Sequence, residues 1–161
     1  MVTWNLSDLY DFEKTDEYIE KLKTKVDEFV SRKDLLRADI AQEEFDKFIH
    51  IKEDIANISA RLNAYADLWL SENTSDSVRT THAAKISHIL TELSNKMIFF
   101  SIWFKDLDDE NAKRLIRGAD EKYRYMLETS RKYRKYTLNE SEEQIINIKD
   151  LSGAELLSNL Y

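Results

Sequence analysis

Apolar residues recur along most of this chain at spacings of three and four, the period of a helix with one buried face. Ile19, Leu22, Val26 and Phe29 follow that rule and predict a first helix over Asp16–Ser31, with Glu17 and Lys21 on its exposed side. Ile51, Ile55, Ile58, Leu62, Tyr65 and Trp69 make a near-heptad seam and predict a second over Gln42–Leu70. At 1.5 Å per residue its length is about 43 Å. Ile86, Ile89, Leu93, Met97, Phe100 and Phe104 give a third over Asp76–Phe104, with Ser75 or Thr74 as the expected cap. Only the small polar segment Ser71–Ser75 separates the two long helices, so they must fold back as an antiparallel hairpin.

Shorter elements flank this hairpin. Val2–Tyr10 reads as an irregular arm anchored by Trp4, Leu6 and Leu9. Asp108–Arg117 predicts a fourth helix with acids at its positive end, closed by Gly118. Asp120–Tyr136 predicts a fifth. Asn139 opens a sixth, because Asn139 with Glu142, and Ser141 with Gln144, have capping-box spacing. Ile145, Ile146 and Ile148 supply its apolar positions. Leu151-Ser152-Gly153 is expected to break it, and Ala154–Tyr161 reads as the start of a further helix that stops without a cap. The fold class is therefore all-α: a long antiparallel helical hairpin with shorter helices packed around it, in one domain spanning residues 1–161.

Composition agrees. There is no proline and there are only two glycines in 161 residues, against average usage of about 5% and 7%, and strands joined by tight turns need both. Cysteine is absent, which excludes disulfides and thiolate metal sites and suits a reducing cytoplasm. The polar, acidic start has no basic flank and apolar core of a signal peptide. The densest apolar stretch, Met97–Phe104, is far shorter than the roughly 20 residues of a membrane span. A net charge of −7 disfavours general nucleic-acid binding unless cations are concentrated somewhere.

They are concentrated between Lys113 and Tyr136, where nine cations face three acids and Tyr123, Tyr125, Tyr133 and Tyr136 interleave. Rings that stack on bases beside cations that hold phosphates are one way to bind RNA. Lys122, Tyr123, Arg124, Arg131, Tyr133 and Arg134 are the candidates for such a surface. The simpler expectation is a charged helix whose tyrosines pack inward, or one that faces the chain's own acidic helices. Ile98, Phe99, Phe100, Ile102, Trp103 and Phe104 are apolar nearly all round their helix, so every side must be covered. Smaller helices of the same domain are the first expectation. Any part left bare, with Ile98, Phe99, Ile102 and Trp103 as candidates, would be a docking site.

Catalytic patterns are missing. His50, His82 and His88 form no HExxH, and no Glu-x-x-His precedes any of them. The acid pairs Glu43/Glu44, Asp108/Asp109 and Glu142/Glu143 stand at helix starts, where capping and the dipole account for them.

Three runs and a closing pattern resemble one family. Trp4-Asn5-Leu6-Ser7-Asp8-Leu9-Tyr10 resembles the W-D-L-(S/T)-D-L-Y opening of oligoendopeptidase F-like peptidases, with Asn5 in place of the usual Asp. Tyr123-Arg124-Tyr125-Met126-Leu127-Glu128 resembles their Y-R-H-Y-L-E. The run from Tyr136 to Ile145 resembles their H-T-L-S-E-x-E-E-Q-I, with Lys135 where a proline often stands. Leu151-Ser152-Gly153-Ala154 and the closing Leu160-Tyr161 are similar to the family's continuation of that run. The resemblance implies the N-terminal helical domain of a cytoplasmic zinc metallopeptidase that cleaves short peptides in a closed helical channel. It implies that the zinc and the HExxH helix belong to a catalytic domain outside this chain, and no ligand or catalytic residue maps onto it. The partners implied are that catalytic domain and an oligopeptide substrate, with no membrane and no nucleic acid. Leu156, Leu157 and Leu160 then join the candidate docking residues. The alternative is a stand-alone helical module that uses residues 113–136 for RNA or an acidic protein.

Overall fold

The computed structural model describes residues 4–152, with side chains to residue 149. Six α-helices occur among them: α1 Thr15–Ser31, α2 Gln42–Glu72, α3 Ser77–Asp106, α4 Asp109–Gly118, α5 Glu121–Lys132 and α6 Glu140–Ser152. No strand occurs among the described residues. The two long helices α2 and α3 pack antiparallel, α1 lies against both, and α6 packs on α3. All six predicted helices are present, and the hairpin is the spine of the molecule.

Both seams face the core. Ile51, Ile55, Ile58 and Leu62 of α2 meet Ile86, Leu93, Phe100 and Phe104 of α3 in one buried cluster with Leu22, Val26 and Phe29 of α1. Phenylalanines fill its wide end. Phe29 sits edge-on to Phe48 at 5.2 Å between ring centroids, Phe48 lies 5.4 Å from Phe100, and Phe45 lies 5.7 Å from Phe104. Such pairs contribute about 0.5–1.5 kcal/mol each beyond their buried area.

Local departures from the expected pattern have physical causes. Asp76, rather than Ser75 or Thr74, caps α3: its carboxylate accepts from the Val78 and Arg79 amides. Asn73 instead spends its side-chain oxygen on the Ser75 amide, bending the chain between the long helices. The fifth helix stops at Lys132, and Arg134–Tyr136 is a tighter 3-10 turn. Leu127 is the last buried residue of α5, so beyond it no apolar face holds the helix down. At Gly118 the chain has no positive φ, so this glycine does not end α4 by a left-handed turn. It makes room instead: a Cβ there would overlap Oε1 of Gln42, whose Nε2 donates to the Leu115 carbonyl at 3.3 Å.

The capping box at Asn139 forms as expected. Asn139 Oδ1 accepts from the Glu142 amide at 3.0 Å, and Glu142 accepts from the Asn139 amide at 3.1 Å. α6 continues through Leu151 and Ser152, two of the residues expected to break it. Gly153 and the expected helix Ala154–Tyr161 lie outside the described residues.

Candidate functional site

α5 is where the basic, tyrosine-rich stretch lands: of its candidates Tyr123 is buried and Arg131 half-buried, while Lys122, Arg124, Tyr133 and Arg134 stay exposed. Tyr123 is buried, and its hydroxyl donates to Glu53 Oε2 of α2 at 2.6 Å. Lys122 Nζ meets the same carboxylate at 3.2 Å. These two donors hold the Glu53 carboxyl below its usual range, the Tyr123 hydrogen bond contributing most. Arg124 donates to the Ala119 and Arg117 carbonyls, closing the turn between α4 and α5. Arg131 reaches the end of α3, donating to the Phe104 carbonyl at 3.0 Å, the Leu107 carbonyl at 2.7 Å and the Lys105 carbonyl. Its other nitrogen pairs with Asp109 at the start of α4, and Arg134 lies 3.6 Å from that carboxylate. Lys122, Arg124, Arg131 and Arg134 therefore bind helix ends and acids of this chain. Tyr133 is the exception, 56% exposed and ring to ring with the exposed Tyr136.

The apolar belt on α3 is largely covered from within. Phe99 is buried, with its ring 5.6 Å from Phe29 and the Lys33 ammonium over it at 4.8 Å. Trp103 packs against Phe45 and Phe100, and Ile98 and Ile102 are half-buried. Asn147 of α6 donates to Asn95 of α3 at 2.8 Å, fixing α6 along this helix. Of the remaining docking candidates, Leu156, Leu157 and Leu160 lie outside the described residues.

Exposed apolar area gathers elsewhere. Tyr125, Met126, Tyr133, Tyr136, Leu138, Ile145, Ile146 and Ile148 are all exposed, eight large side chains within 24 residues. Between Trp4 and Phe104 only five large apolar side chains are exposed, and they are scattered along the chain. Ile145 and Ile148, both 56% exposed, are three apart and share a face of α6. The sequence held a signal for this. Ile145, Ile146 and Ile148 follow a short acidic turn with no apolar run before them, so they are too few to build a core face of their own.

At the opposite end of the hairpin, the arm closes a cleft of about 560 Å³. Trp4, Tyr10 and Phe12 of the arm face Tyr65 and Trp69 of α2 across it, with Arg79 of α3 and Glu72 of α2 between. Trp4 N–H donates to Glu72 Oε1 at 3.0 Å, Arg61 donates to the Leu9 carbonyl at 3.4 Å, and the Tyr10 ring is 4.5 Å from Tyr65. His82 lies behind the cleft among Phe12, Tyr65 and Trp69, buried, with Nε2 unbonded.

Among the described residues no three His, Asp or Glu side chains converge as metal ligands. His50 sits on the Tyr123 ring and His88 is exposed, each apart from His82. No helix among the described residues is long and apolar enough to cross a membrane.

The exposed apolar row lies within the part of the chain that a known family covers. Residues 103–161 match the family model described as Oligopeptidase F, the N-terminal domain of that family. The parent family of oligopeptidase F is one of metallopeptidases. The match takes in α4, α5 and α6 and three of the four patterns read in the sequence, those at Tyr123–Glu128, Tyr136–Ile145 and Leu151–Ala154. The searches of curated proteins and of solved structures found no match.

Proposed function

We propose that this chain is an accessory domain of a zinc metallo-oligopeptidase. It walls one side of the substrate channel and docks to the catalytic domain through the exposed apolar side chains between Tyr125 and Ile148. The match over residues 103–161 carries the reading. The eight exposed apolar side chains inside that same segment support it, because exposed apolar side chains gathered in this way are what an interface would cover. Docking falls to Tyr133, Tyr136, Ile145 and Ile148, which are exposed, more than to Phe99 and Trp103, which pack into the chain's own core, or to the half-buried Ile98 and Ile102. Zinc and the residues that activate water belong to the partner domain, and this chain contributes shape and exclusion. Its place of action on this reading is the cytoplasm. Lys122, Arg124, Arg131 and Arg134 each have partners within the chain, which favours this reading over an RNA or acidic-protein surface.

The test is selectivity. The chain is mixed with a zinc-loaded HExxH domain of this family, and cleavage of a quenched eight-residue peptide is compared with cleavage of unfolded casein. The chain alone cleaves neither. Its addition lowers the casein-to-peptide ratio of kcat/KM about tenfold, a discrimination of about 1.4 kcal/mol. An unchanged ratio overturns the wall role.

A further inference from the structure

The cleft between the arm and the hairpin has the features of a ligand site, and it lies outside the segment that carries the docking proposal. Its volume of about 560 Å³ falls in the range of small-molecule and side-chain pockets. Its walls are aromatic: Trp4, Tyr10, Phe12, Tyr65 and Trp69. Two of these keep a large exposed area in a concave place, Trp4 at 52% and Phe12 at 44%. Large rings left wet in a concavity are a surface that a ligand would dry.

Charge selects the ligand. Asp11, Glu13 and Glu72 line the cleft, three carboxylates against the two cations Lys14 and Arg79. Both cations are engaged. Arg79 pairs with Glu72 at 2.5 Å and lies 3.5 Å from Asp76, and Lys14 lies 3.5 Å from Asp11. Glu13 is left at the rim with no ion-pair partner among the described residues. Arg79 also displays the chemistry the site favours, with its guanidinium 5.4 Å from the Trp69 ring centre and Glu72 beside it. We infer that this cleft binds a basic side chain of an extended peptide, the aliphatic stem against Trp4 and Phe12 and the cationic head between ring faces and the Glu13 carboxylate. An acidic side chain would meet the net negative rim and is excluded.

Intrinsic tryptophan fluorescence and titration calorimetry of the whole chain test this, with acetyl-Ala-Lys-Ala-amide as the probe and its norleucine and glutamate counterparts as controls. Trp4 and Trp69 report from within the cleft. The lysine peptide is expected to bind saturably, about fivefold more tightly than the norleucine peptide, and the glutamate peptide is expected not to bind. Glu13→Gln, on an exposed side chain that leaves the fold intact, weakens the lysine peptide about fivefold and leaves the norleucine peptide unchanged. Trp4→Ala weakens both. Equal binding of lysine and norleucine peptides, no effect of Glu13→Gln, or no saturation with any peptide overturns the inference. None of these readouts involves a catalytic domain, so the cleft and the docking surface stand or fall separately.

Discussion

His82 stands where the arm, α2 and α3 meet, with its ring 5.2 Å from Phe12 and 5.4 Å from Trp69. Burial pushes its pKa below the ordinary 6.5, the Lys85 charge adds to that, and Asp16 opposes it. Between the folded value and 6.5 the unfolded chain therefore binds more protons than the folded one. The stability that neutral His82 contributes is fully present above pH 6.5 and is lost as pH falls through 6.5 toward the folded value. Urea midpoints measured at about pH 7.5 and 5.5 should fall toward acid in the wild type, and the fall should be much smaller in His82→Leu. An equal fall in both would remove His82 as the cause. Little of this was legible in the sequence, where His82 is one of three unmatched histidines. Its environment comes from Phe12, distant in sequence, and from Tyr65 and Trp69 across the hairpin, a meeting that helical periodicity alone cannot place.

Arg131 links three elements. At the end of α3, carbonyls that have no partner inside the helix meet its guanidinium, whose positive charge also suits the negative end of the helix dipole. The same group holds Asp109 at the start of α4, so the corner between α3 and α4 depends on a residue of α5. Arg131→Met should lower stability to urea by about 2 kcal/mol, because buried acceptors lose their donor. Arg131→Lys should recover less than half of that, since one ammonium cannot reproduce the planar fork. Full rescue by lysine would mean that charge alone matters. The helices themselves were readable: seams at spacings of three and four set α1, α2 and α3 to within two residues at either end. What the seams did not disclose was the use of the cations. Nothing in a run of nine cations tells which have partners inside the chain: Lys122 on Glu53, Arg124 on the turn before α5 and Arg131 on the end of α3. Where α5 stops was also hidden, because Tyr133 and Tyr136 continue the helical spacing yet stay exposed, outside the core.

The whole molecule divides its labour by position. The hairpin and α1 form a closed aromatic core, and that end of the chain also carries the arm cleft. α5 and α6 pack on α3, and the exposed tyrosines, isoleucines, Met126 and Leu138 lie on these two helices and on the link between them. Of the docking candidates on α3, Phe99 is buried in the core and Trp103 packs against it, while Ile98 and Ile102 are half-buried. Hydrophobic density marks what must be covered, and only the packing shows what is left over. The most direct measurement is hydrogen–deuterium exchange of the chain with and without a zinc-loaded HExxH domain of the oligopeptidase F family. Slowed exchange concentrated over Glu121–Ser152, abolished by Ile145→Lys with Ile148→Lys while free-chain exchange stays the same, is the result the docking account predicts. No protection, or protection confined to α1 and the arm, would contradict it.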